Sequence, residues 1–167
     1  MSLLNDPSMK EVVDEFCDES TELFDQLEDI LEDFEDNPSD AKKLEEFGQI
    51  IDRVMGSAKT IGANDIATLC ELGKVIGYKS SQTEDQALLE VVASIMFDAV
   101  ELLKKMITQI RNGSDSELKQ VSSKAFVTRL NWLKDKFNDI ERASCAADPN
   151  ENMSQNSIDD LMSSLGL

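Results

Sequence analysis

Glu45-Glu46-Phe47-Gly48-Gln49-Ile50-Ile51-Asp52-Arg53-Val54-Met55-Gly56-Ser57-Ala58-Lys59-Thr60-Ile61-Gly62 is the stretch on which the fold turns. With Leu44, its apolar residues Phe47, Ile50, Ile51, Val54, Met55 and Ala58 recur at steps of three and four, the period of a helix with one buried stripe. Another face keeps the same period in polar residues. Gln49 lies one turn before Asp52, and Glu45 one turn before Gln49. Gly62-Ala63-Asn64 ends the helix.

The helical period extends in both directions. Before this stretch, Val12, Val13, Phe16, Leu23, Phe24, Leu27, Ile30, Leu31 and Phe34 form a stripe with an acidic back, behind Pro7, whose missing N–H costs nothing in a first turn. Asn37-Pro38 stops that first helix, and Ser39 or Asp40 can cap the second. Asn64 or Asp65 is expected to cap a short third helix through Leu69, Leu72 and Ile76, with Gly77-Tyr78-Lys79-Ser80-Ser81 as a loop. Thr83 and Gln86 make a capping box for a long fourth helix, which Asn112-Gly113-Ser114 breaks. Ser116 can start a fifth, running to Ala143. No segment alternates like a strand and the connections are short, so the expected fold is all-α, an antiparallel helical bundle.

Gly48, Gly56 and Gly73 fall inside helices, where each costs roughly 1 kcal/mol relative to alanine. Such a glycine serves close helix packing or leaves a bare patch for a partner's backbone. Gly48 and Gly56 border the Glu45–Gln49–Asp52 face, and for these two the bare patch is expected. In the fifth helix Phe126, Leu130, Leu133, Phe137 and Ile140 form a heptad seam, which either packs on the domain or joins two copies as a homodimer. Trp132 lies off that seam.

Composition changes at Ser144. Residues 144–156 are small and polar and read as a flexible tether. In residues 157–167, Ser157 and Asp160 make a helix start, and Ile158, Leu161, Met162 and Leu165 share one apolar face. A helix this short is marginal alone in water, so it either folds on a partner or docks back on its own domain. The expected organisation is a helical bundle domain over 1–143, a tether over 144–156 and a partner-binding helix over 157–167.

The net charge is −18. Phosphate contacts and anionic membrane surfaces both need a basic protein, so neither nucleic acid nor membrane is an expected partner. The acid of the first helix reads as a solvated face, and a basic protein partner is compatible with it. Cys17, Cys70 and Cys145 are far apart, with no CxxC and no histidine to complete a metal site. Cys17 and Cys70 lie on apolar stripes and are expected as buried thiols. No signal peptide and no apolar run of about 20 residues is visible, so a cytoplasmic location is expected.

Two resemblances give these residues a meaning. The stretch Asp52-Arg53-Val54-Met55-Gly56-Ser57 resembles the His-x-x-Lys-Gly-Ser pattern of histidine phosphotransfer (HPt) domains, with Asp52 at the phosphorylated histidine and Met55 at the lysine. The chain contains no histidine, so it cannot carry phosphate as those domains do. The spacing of Glu45, Gly48 and Gln49, followed by Ile50 and Ile51, resembles the catalytic helix of CheZ-like phosphatases, which dephosphorylate the response regulator CheY. Glu45 stands where that family has aspartate, and Phe47 replaces its threonine. Asp159, Asp160, Leu161, Met162, Ser164, Leu165 and Gly166 resemble that family's CheY-binding terminal peptide.

The resemblances imply a protein aspartyl-phosphate phosphatase in chemotaxis. Its partner is a phosphorylated CheY-type receiver that brings its own Mg2+, and the chain itself needs no cofactor or metal. Gln49 would orient the attacking water, because a neutral amide accepts and donates hydrogen bonds without repelling a phosphoryl group. Glu45 would pair with a receiver lysine, and Asp52 and Gly56 would lie at the rim of the contact. Ile158, Asp159, Asp160, Leu161, Met162 and Leu165 would dock the receiver. The alternative is a catalytically inert pseudo-HPt adaptor that binds a receiver through the same face.

Overall fold

A computed structural model describes residues 3–113, together with Trp132, Leu133, Asp135 and Lys136. Two short 3-10 turns, Leu3–Asn5 and Pro7–Met9, lead into four helices: α1 Lys10–Asp36, α2 Ala41–Ile61, α3 Asn64–Ser81 and α4 Gln86–Arg111. The described residues hold no strand. Each helix neighbours the next, and α1 also packs on α4, which closes an antiparallel four-helix bundle.

The helix ends follow from local chemistry. The Asp6 carboxylate accepts from the Ser8 amide at 2.9 Å and caps the turn that feeds α1. Asp40 accepts from the Lys42 amide at 3.2 Å and caps α2. Gly62 ends α2 at φ 77°, in the left-handed region that glycine enters without a Cβ clash.

Three expectations about boundaries need correction. Neither Asn64 nor Asp65 caps α3: both lie inside it, and Ala63, with no side-chain bond to give, precedes its first turn. Thr83 and Gln86 do not form the cap of α4. Asp85 does, accepting from the Leu88 amide at 3.1 Å, while Thr83 Oγ1 accepts from the Asp85 amide. Residues 77–81 are not a loop but the last turn of α3. Gly77 and Ser80 are buried there, and packing overrides their turn-like composition.

One core fills the bundle. Phe24, Leu27, Leu31 and Phe34 of α1 meet Leu44, Phe47 and Ile51 of α2, Ile66, Leu69 and Cys70 of α3, and Ile95, Met96 and Leu103 of α4. Full burial of one such side chain stabilises by about 1.5–3 kcal/mol. Val12 does not join this stripe and is 43% exposed. Cys17 and Cys70 are buried free thiols.

The acidic back of α1 is held by cations from its two neighbours. Arg53 Nη2 lies 2.7 Å from Glu19, Lys43 Nζ 2.8 Å from Asp33, and Arg111 Nη1 2.8 Å from Asp18. Lys104 Nζ bridges Asp25 at 2.8 Å and Glu28 at 2.7 Å. These pairings run in opposite directions along the partnered helices, as antiparallel neighbours require.

Of the heptad seam, Leu133 falls within the described residues, and it is 1% exposed, buried with the core. Phe126, Leu130, Phe137 and Ile140 lie outside the described residues, as do the tether and the helix expected over 157–167. Trp132 is 40% exposed, with the Lys136 ammonium 5.5 Å from its ring centroid. No described helix is long and apolar enough to cross a membrane.

Candidate functional site on the outer face of α2

Because Leu44, Phe47, Ile51, Val54 and Ala58 are buried, the helical period fixes what α2 presents outward. Glu45, Gln49, Asp52 and Gly56 are all exposed, and Gly48 is half-buried. The four exposed residues occupy successive turns, so the expected polar face exists as one surface.

The glycines leave that surface bare. A Cβ placed on Gly48 or on Gly56 would meet nothing within 4 Å. Gly73 differs: its Cβ would touch Ile51 at 3.6 Å and Phe47 at 3.7 Å, ordinary contacts between α2 and α3. Gly73 thus serves helix packing, while Gly48 and Gly56 leave open space beside α2.

The charges on the face are unevenly satisfied. Lys74 of α3 places Nζ 2.8 Å from Asp52 Oδ1, with both side chains about half exposed at 48%. The Asp52 carboxylate, expected at the rim of a partner contact, already has a cation from its own chain. Lys43 is drawn to Asp33, and that hydrogen bond raises its ammonium above the usual lysine value, against the opposing effect of burial. It also lies 3.7 Å from Glu46. Arg53 is turned to Glu19 of α1.

Sequence reasoning missed Lys74 and Tyr78. Lys74 lies on a neighbouring helix, and nothing in a 22-residue separation announces a contact with Asp52. Tyr78 falls in the segment read as a loop. On α3 it stands one turn beyond Lys74 and is 54% exposed. Gly77 beside it lies against Leu44 and Phe47, which puts Tyr78 near the Glu45 end of the face.

Among the described residues, no three His, Cys, Asp or Glu side chains gather as a metal site. The face is an open helical surface that carries an amide, bare backbone and a cation–carboxylate pair. It has the parts to meet a partner, and the amide is the group on it that can orient a water without adding charge. A model of the Hpt domain family matches residues 11–113, from the first turn of α1 to just beyond α4. No solved structure matches the chain.

Proposed function

The chain belongs to the Hpt domain family, whose members interact with response regulators in two-component signalling, and from that premise we propose that it dephosphorylates a phospho-aspartyl, CheY-type receiver in chemotaxis. The observation that carries the reading is the exposed Gln49 amide between bare glycine backbone and an Asp52 carboxylate already paired with Lys74. At the position where the family pattern has its histidine, this chain offers neither a histidine nor an unpaired carboxylate. A phosphoryl group brought to this face therefore has water as its acceptor.

In this reading Gln49 aligns a water with the phosphorus. The water oxygen bonds to phosphorus as the bond to the receiver's aspartyl oxygen breaks. The electron pair stays on that carboxylate, and inorganic phosphate leaves with the water's protons. The receiver's own Mg2+ supplies charge stabilisation when bound. Glu45 lies one turn from Gln49 and pairs with a receiver lysine, which holds the helix in register. In the same reading Ile158, Leu161, Met162 and Leu165, with Asp159 and Asp160, supply docking affinity. The 13 residues 144–156 join them to the bundle, and such a covalent link keeps a bound receiver at about millimolar effective concentration.

Phosphate release from a phosphorylated receiver tests the reading. Gln49→Ala should slow release by about 2–4 kcal/mol of barrier and leave binding nearly intact, as for other single orienting groups. Removal of residues 155–167 should weaken binding at least tenfold, by the loss of that effective concentration. Docking without hydrolysis is the second reading, and the Asp52–Lys74 pair favours it, since a closed acceptor position also suits an adaptor. Receiver binding with no added phosphate release selects it.

A further inference from the structure

We propose that Lys74 of α3 is the phosphoryl-recognising cation of this face, held at the level of Gln49 by the Asp52 carboxylate. The inference rests on the receiver-docking reading and adds to it a residue that distinguishes the phosphorylated receiver from the unphosphorylated one.

The geometry starts from one contact. Lys74 Nζ is 2.8 Å from Asp52 Oδ1. Asp52 and Gln49 are three residues apart on α2, so their Cβ atoms are about 5–6 Å apart. A lysine bound to Asp52 therefore stands about one helical turn from a group that sits against Gln49. Asp52 is a positioning residue here: it draws a four-carbon side chain from a neighbouring helix across to the exposed face of α2.

Charge makes the placement matter. A phosphoryl group brings about two negative charges to a chain whose net charge is −18, beside Glu45 and Asp52. An uncompensated approach would be repelled. Of the other cations near this end of α2, Arg53 is turned to Glu19 and Lys43 to Asp33, and Lys42 stands two turns before Gln49, about 10 Å along the helix axis. Lys59 lies ten residues from Gln49, about 15 Å along the helix axis. Lys74 is the cation that an ion pair fastens within one turn of Gln49.

The pair is also able to yield. Both partners are about half exposed, at 48%, and an exposed ion pair is worth about 1 kcal/mol or less. Lysine carries three donors, so its ammonium can keep Asp52 on one and give another to a phosphoryl oxygen. That bond is charge-assisted, and it exists when the receiver is phosphorylated and not otherwise.

The test measures binding, not turnover. The full chain is titrated with a CheY-type receiver in Mg2+, with and without beryllofluoride, which mimics the phosphoryl group and is not hydrolysed during the measurement. Lys74→Ala should weaken binding of the beryllofluoride form about tenfold and leave the bare receiver within twofold. Lys74→Arg, which keeps the charge, should restore most of the discrimination. Should Lys74→Ala fail to fold by its melting curve, Lys74→Met retains the apolar stem and takes its place. Equal loss for both receiver forms, or no loss, overturns the proposal. The phosphatase reading fails separately, if Gln49→Ala leaves phosphate release unchanged. A wild-type chain that binds neither receiver form overturns docking, and this proposal with it.

Discussion

Gly77 and Leu44 meet backbone to backbone: a Cβ on Gly77 would stand 3.3 Å from the Leu44 carbonyl oxygen and 3.5 Å from Met96 Cε. Alanine improves helix propensity by about 1 kcal/mol, but a main-chain oxygen gives way less easily than a side-chain tip, and overpacking costs about 1–3 kcal/mol. Gly77→Ala should therefore destabilise by about 1 kcal/mol in urea unfolding. An unchanged or higher midpoint would show that α2 and α3 can part without cost.

The glycines of the outer face should behave in the opposite way. Gly48→Ala and Gly56→Ala add a methyl group where nothing lies within 4 Å. Each should stabilise the free chain by about 0.5–1 kcal/mol. Each should also weaken receiver binding, because the partner loses its approach to bare backbone. Stabilisation with full binding would remove these glycines from the docking surface.

Much of this arrangement was legible from residue order. The all-α class, the four helices of the described region, the outward phase of Glu45, Gln49 and Asp52, and the burial of Cys17 and Cys70 all follow from a 3.6-residue period. What period cannot supply is the neighbour across a helix pair. Gly77-Tyr78-Lys79-Ser80-Ser81 has turn composition, and only the contact with Leu44 and Met96 explains why it stays helical. The Asp52–Lys74 pair was invisible for the same reason. Val12 shows the converse limit: an apolar residue beside a stripe can face solvent when its neighbour Val13 takes the core position.

Lys104 links pH to the α1–α4 contact. Burial alone would lower its ammonium, but hydrogen bonds to Asp25 and Glu28 outweigh that effect and hold it above the usual lysine value. The folded chain then keeps the proton longer than the unfolded one. The contribution is whole below the unfolded lysine value of about 10.4 and fades as pH rises through the folded value. Lys104→Met should cost about 0.5 kcal/mol at pH 8, as a partly exposed pair does, and progressively less above pH 10.4. A gap between the two urea midpoints that widens with pH would contradict this.

The two core thiols should be silent in the native chain. Burial pushes the Cys70 thiol far above its ordinary range. Burial also raises Cys17, with Arg111 pulling the other way and Asp14 and Asp18 adding to the rise. The thiolate is the reactive form, so both should resist alkylation until the bundle opens. Mass spectrometry of peptides containing Cys17 and Cys70, labelled before and after denaturation, checks this. Native labelling of either would place it at an accessible position.

The cations that fasten α1 also decide how the molecule meets its ionic surroundings. Each fastening spans 2.7–2.8 Å, well inside a screening distance of about 8 Å at physiological salt. The mutual repulsion of carboxylates along a 27-residue helix reaches much farther. Dissolved ions therefore relax the strain between like charges before they loosen the short attractive contacts. Dilute buffer, rather than brine, is the harsher medium for this bundle, and its melting temperature should climb as salt rises from about 0.01 to 0.15 M.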